Sequence, residues 1–318
     1  VSLSLDLGLF EALADVEEGL SIDSLTELTD TNPTGLDRLC AFLESQGYLA
    51  ASADGYRLTA MTQKWLTGPD SLAPFFTYWH KLVFPFWDQQ LEPAVRSGAP
   101  NQSFYEWLDD EPGRWDLAQE GFRATAMLLV DDVIDAITVP DGARTVLDVG
   151  GGHGVYATEL CRRHPALSAT IFDVPGAIDA VESDIPAELV DRLTTKPGDY
   201  LTDDLGTGYD LALVFNVIHA HGPTEIIELF ERVYCALAPG GKIVVLDQWA
   251  ESTRSSVGRA GLRFIALTYL VTLGADVYEV EAARRWLDEA GFTAVSETSV
   301  GPLSGLAIVE ASKPAVSG

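Results

Sequence analysis

The sequence has 318 residues, 48 acidic side chains against 20 Lys and Arg, a formal charge of −28 and a pI of about 4.3. That balance excludes a conventional nucleic-acid binder, which needs a basic face to displace counterions from phosphates. An apolar fraction of 47% and a mean hydropathy of +0.11 exclude a disordered chain, and the length allows two domains.

Leu3, Leu5, Leu7, Leu9, Phe10 and Leu13 open the chain as short helix, and Leu25 and Leu28 mark a second. A third helix is expected from Gly35 to about Gln46, where Leu36, Leu39, Cys40 and Leu43 recur at helical spacing and Gly47 stops it. Tyr48-Leu49-Ala50 and Tyr56-Arg57-Leu58-Thr59 then flank the turn-rich Ser52-Ala53-Asp54-Gly55 as a hairpin. Helices followed by a hairpin is the order of a winged helix, although the charge opposes a DNA-binding use. Residues 70–137 read as helical and rich in aromatics, from Phe75 and Trp79 to Trp115, Phe122 and Met127. Most of these are expected in the core, and a few to line a pocket for a flat apolar ligand.

From Thr145 apolar strands alternate with amphipathic helices, the sign of a parallel sheet with crossovers. The expected strands are Thr145 to Val149, Ala169 to Asp173, Leu211 to Phe215 and Lys242 to Gln248, with Val300 to Glu310 as a closing hairpin partner. A helix from Glu225 to Leu237 carries Ile226, Phe230 and Val233 on one stripe and is expected to stop at Pro239-Gly240-Gly241.

The stretch richest in chemistry is Asp148-Val149-Gly150-Gly151-Gly152-His153-Gly154. Glycines after a strand let the backbone turn tightly and approach a ligand, with the next helix aiming its N-terminus at the site. Such a turn fits nicotinamide, flavin and S-adenosylmethionine (SAM) binders alike. The pattern Asp-x-Gly-x-Gly-x-Gly favours SAM, because an acid precedes the glycines and can help to hold a cationic amino-acid moiety. Asp173, 19 residues after Gly154, is placed to accept from ribose hydroxyls, a feature that NAD sites share. Asp199, in Gly198-Asp199-Tyr200, follows the expected third strand and is suited to the adenine amino group.

These motifs, with Phe172-Asp173-Val174-Pro175, Val217-Ile218-His219, Leu237-Ala238-Pro239-Gly240-Gly241-Lys242 and Ala290-Gly291-Phe292, resemble in order and spacing the SAM-dependent small-molecule O-methyltransferases, relatives of the caffeate and hydroxyindole enzymes. The resemblance covers nearly the whole chain. It implies an α/β fold: a Rossmann-like SAM-binding domain with a mostly parallel seven-stranded sheet at 138–318, preceded by a helical winged-helix dimerisation and substrate-pocket domain at 1–137. It also implies a homodimer, and S-adenosylhomocysteine as product. Gly150, Gly151 and Gly152 would face the methionine part of SAM, Asp148 its cationic end, Asp173 the ribose, Val174 the adenine face, and Asp199 with Tyr200 the adenine edge. His219 falls where the family places its general base and Asp247 where a carboxylate orients it, while Phe122 and Met127 would clamp an apolar acceptor.

There are departures. The family commonly continues His-Asp-Trp, where this chain has His219-Ala220-His221, which leaves His221 open as a base. A SAM-binding relative that methylates carbon or performs another reaction is therefore one rival reading, and a winged-helix small-molecule sensor is another. No metal is expected, because His219-x-His221 lacks a third ligand.

Cys40, Cys161 and Cys235 are sparse and far apart, as expected of reduced thiols in cytoplasm. No apolar run reaches the ~18 residues of a membrane span, no basic signal-peptide start is present, and without an initiator Met the numbering is expected to begin inside the gene product. The acids comprise 27 Asp and 21 Glu, the bases only 5 Lys beside 15 Arg, and the excess is spread as −16 over 1–137 and −12 over 138–318. An acidic tail would concentrate it. This pattern reads as a halophilic surface, whose self-repulsion salt screens; the alternative is an ordinary acidic cytosolic enzyme.

Overall fold

Of the leucines that open the chain, Leu9 and Leu13 enter the core of a small helical unit, while Leu3 stays exposed. In the computed structural model, which describes residues 1–68, 71–181, 185–250, 253, 255–301 and 305–315, the chain divides into two units: Val1–Pro85 with Glu120–Leu128, and Phe86–Gln119 with Leu129–Gly318. In the first, the opening segment is two short helices, Ser2–Asp6 and Leu9–Leu13, separated at Gly8, whose φ of 66° ends the first turn. Helices Ile22–Thr29 and Pro33–Ser45 follow. Asn32 caps the latter, its Oδ1 accepting from Thr34 and Gly35 N–H, and Pro33 takes the first helical position, where a missing N–H costs nothing. Strands β1 (Leu49–Ser52) and β2 (Gly55–Leu58) pair antiparallel around Ala53-Asp54, as expected. Leu9, Phe10, Leu13, Leu25, Leu36, Cys40 and Leu43 meet in one buried cluster.

The second unit holds the sheet. Strands β3 (Thr145–Val149), β4 (Ser168–Asp173), β5 (Leu193–Pro197), β6 (Tyr209–Phe215) and β7 (Leu237–Gln248) are parallel; β8 (Thr293–Ser299) and β9 (Leu306–Ser312) close it antiparallel, in the order β5-β4-β3-β6-β7-β9-β8. Val146, Leu147 and Val149 are fully buried, as a central strand covered on both faces requires. Helices on the sheet complete a core around Phe172, Phe230, Trp249 and Phe292. Phe230→Ala is expected to lower stability by ~3–5 kcal/mol, the usual cost of truncating a buried aromatic, read as a fall in the urea midpoint; a loss below ~1 kcal/mol would show that this face of helix Pro223–Ala236 is not core.

Two expectations are corrected in detail. The helix ends at Ala236, because Leu237 is already extended and pairs with Tyr209; Pro239-Gly240-Gly241 form an irregularity inside β7 rather than a stop, with Gly240 at φ 84°. The expected Val300 to Glu310 strand begins instead at Leu306, and residues 302–304 lie outside the described residues. Its edge neighbour β8 escaped the sequence reading because Thr293–Ser299 is exposed at nearly every position, so no apolar face marks it.

Candidate active site

The parallel strands deliver the motif residues to their carboxyl ends. After β3, Gly150 N–H and Gly151 N–H donate to the Phe172 carbonyl (2.8 and 3.4 Å), and Gly154, at φ 65°, caps the helix Val155–Arg163. A Cβ on Gly151 would stand 2.7 Å from the Asp148 carboxyl, and one on Gly150 2.6 Å from Val217 Cγ2, so side chains are excluded on both flanks. Val217 lies two residues before His219, and Tyr200 reaches the same Gly150 position at 3.7 Å. The loop, the Gly198-Asp199-Tyr200 segment and the His219 segment therefore converge.

Asp173 accepts from Gly152 N–H through Oδ2 (2.8 Å) and from Val174 N–H through Oδ1 (2.7 Å), which ties the end of β4 to the loop. Asp148 is 2% exposed. Burial, with Asp173 nearby, pushes its carboxyl up to about 7; burial likewise lifts Asp173 to about 6 against its two backbone donors. Asp199 is exposed and its Oδ1 accepts from Leu201 N–H.

Two acceptors here have no hydrogen-bond partner among the described residues: Asp148 Oδ2, and Oε1 of Gln119, itself 6% exposed and 3.0 Å from where a Gly152 Cβ would lie. Buried acceptors left unpaired beside a glycine cradle suit a cationic ligand carrying N–H donors. The ammonium of SAM is such a group, and Asp173, whose Oδ2 is 3.6 Å from the same Gly152 position, is the carboxylate that could accept from its ribose. Gln119 sits in the helix Arg114–Met127 and was missed, because a single glutamine in a helical stretch gives no sequence signal. Gln119→Leu is expected to weaken SAM binding about tenfold by calorimetry, and unchanged affinity would place the ammonium elsewhere.

On the neighbouring strands, His219 lies in the turn Ile218–Ala220 beyond β6 and is 8% exposed, while Asp247, near the end of β7, is 1% exposed. Asp247 Oδ1 and Oδ2 stand 3.0 and 3.1 Å from His219 Nδ1, and Oδ1 also accepts from Gln248 N–H. A carboxylate at Nδ1 fixes the hydrogen there, so Nε2 carries the lone pair. The Tyr269 ring lies parallel to the imidazole, centroids 3.9 Å apart.

His221 is differently engaged. Its Nε2 is 2.7 Å from the Tyr200 hydroxyl, its Nδ1 is 3.6 Å from Glu225, and its carbonyl accepts from the Tyr278 hydroxyl. Burial lowers its pKa, partly opposed by Glu225, which favours the neutral ring. Both nitrogens thus face protein groups. The two acceptor candidates lie in the first unit: Phe122 is half-buried with its ring edge on Tyr78, and Met127 is 45% exposed. Among the described residues no cluster of His, Cys, Asp and Glu could hold a metal ion.

Sheet order, glycine loop and buried acids define a Rossmann-like domain built for a nucleoside-linked cation. An O-methyltransferase domain matches residues 88–293 and an O-methyltransferase dimerisation domain residues 2–68. The chain belongs to the O-methyltransferase family and is a SAM-dependent enzyme. It is 28% identical over 94% of its length to the 3-amino-4-hydroxybenzoate 4-O-methyltransferase of Streptomyces cremeus, covering 83% of that protein. It is also 28% identical over 96% to the tetracenomycin polyketide synthesis 8-O-methyl transferase TcmO of Streptomyces glaucescens, covering 90%. The fold resembles human N-acetylserotonin methyltransferase in complex with SAM, with TM-score 0.86 at 21% identity over 98% of this chain and 92% of that one.

Proposed function

We propose that the enzyme methylates a phenolic or enolic hydroxyl of an apolar, aromatic small molecule, with His219 as general base. The observation that carries this is the buried His219–Asp247 pair, with Nδ1 held by the carboxylate and Nε2 left as acceptor, on the segment that packs against the glycine loop through Val217. The chemistry supplied by bound SAM is a methyl group activated by its sulfonium. Asp148, Gln119 and Gly150 to Gly152 hold the methionine end, Asp173 the ribose, and Val174, Asp199 and Tyr200 the adenine. His219 Nε2 takes the hydroxyl proton and Asp247 stabilises the resulting imidazolium, while positioning supplies much of the rate. Phe122 and Met127 contact the acceptor. The relatives that act on hydroxybenzoate and polyketide rings support an aromatic acceptor.

We assign residues 1–137 to winged-helix dimerisation and the acceptor pocket, and 138–318 to SAM binding, in a cytoplasmic homodimer; no helix among the described residues is long and apolar enough to cross a membrane. Incubation with methyl-labelled SAM and a panel of hydroxybenzoates and naphthols is expected to label at least one phenol. SAM binding without transfer to any hydroxyl would instead favour the carbon-methylating or non-transfer reading that the missing His-Asp-Trp run raises. The Lys-poor acidic surface further predicts an unfolding midpoint that rises from low to molar KCl; a fall would refute salt adaptation.

A further inference from the structure

We propose that Tyr269 is a positioning residue for the base: its ring, laid flat on His219, fixes the imidazole together with Asp247 and stabilises the imidazolium that proton abstraction creates. The proposal rests on the reading of His219 as the base.

Asp247 holds the imidazole by one edge, at Nδ1. A contact at one edge leaves the ring free to rock about that hydrogen bond, whereas a flat contact on its face removes the motion. Tyr269 supplies the second restraint, with centroids 3.9 Å apart and planes 2° from parallel. Its helix, Ser256–Leu273, packs against the turn Ile218–Ala220 that carries His219, and buries Thr268 beside Tyr269.

The stack also acts on the charge. Two neutral aromatic rings in a parallel, offset stack attract one another weakly. A cation over a phenol face is attracted more strongly. Tyr269 therefore stabilises the charged ring relative to the neutral one, which is the direction a base requires as it takes a proton. The groups that bear on this charge are Asp247 from β7, His221 from the same segment, and Tyr105 and Tyr278, both of which feel the Asp247 charge.

The test follows the His219 imidazole by NMR in labelled protein without cofactor, alongside turnover. Tyr269→Leu is expected to lower the His219 titration midpoint by about half a pH unit or more and kcat by about tenfold, with a smaller change in acceptor KM. Tyr269→Phe keeps the aromatic face and restores both. Should Tyr269→Leu fail to fold, Tyr269→Phe with a pentafluorinated ring keeps the shape but reverses the face potential, and must lower the midpoint relative to ordinary Tyr269→Phe. An unchanged midpoint in these variants would overturn the proposal. His219→Ala separates the two readings: full turnover in that variant would remove the base assignment, while the midpoint shift still reports the stack.

Discussion

His219→Ala is expected to lose methyl transfer by ~10² to 10⁴-fold, the usual contribution of a general base, while SAM binds with unchanged affinity. The separation arises because Asp148, Gln119 and Asp173, the groups proposed to hold the cofactor, lie on other elements, and His219 Nδ1 is committed to Asp247. Asp247→Asn should lose much of the same rate, since an amide can stabilise the wrong tautomer and cannot balance an imidazolium. His221 should not substitute: its Nε2 is bonded to Tyr200 and burial lowers its pKa. Single-turnover rates with labelled SAM, beside calorimetric affinities, check both halves. Undiminished turnover in His219→Ala would show that proximity alone suffices or that another group takes the proton.

SAM affinity should rise as pH increases from about 5 to about 7 and level off above. Burial lifts Asp148 to about 7 and Asp173 to about 6, so at acid pH the free enzyme holds protons that a cationic ligand must displace. The slope of log Kd against pH approaches about −1 for each proton released. Asp148→Asn should bind SAM more weakly and flatten part of this dependence, and Asp173→Ala should weaken binding by removing the ribose acceptor. The sign for folding is the reverse. Because the folded state binds these protons more tightly than the unfolded chain, their contribution to stability is complete below the unfolded pKa near 4 and is lost as pH rises through 6 to 7. Excess SAM should offset that loss, since it binds only the folded form. A pH-independent Kd would mean that SAM binding does not require either carboxyl to be ionised.

The strands that place the site were legible because each is short, apolar and bounded by motif residues. Thr145 to Val149 matches its strand at both ends, and Asp148 and Asp173 stand beside or at the strand ends that present them. The polar strand Thr293–Ser299 was not legible, since an exposed edge needs no buried face. Pro239-Gly240-Gly241 misled for a related reason: composition marks a break, and only pairing with Tyr209 shows that the break falls inside a strand.

By itself the sequence determined the fold class, the cofactor and the residues of the glycine loop, because those depend on local chemistry: glycine where Cβ has no room, acids where strands end, apolar runs where a sheet is buried. Tertiary structure alone decided which groups act together. It brought Asp247 to His219 across 28 residues and Tyr269 onto the face of that imidazole, tied His221 to Tyr200, and left Gln119 Oε1 without a partner among the described residues beside Gly152. Each of these is a contact between elements distant in sequence, where spacing carries no signal and only packing sets the distance.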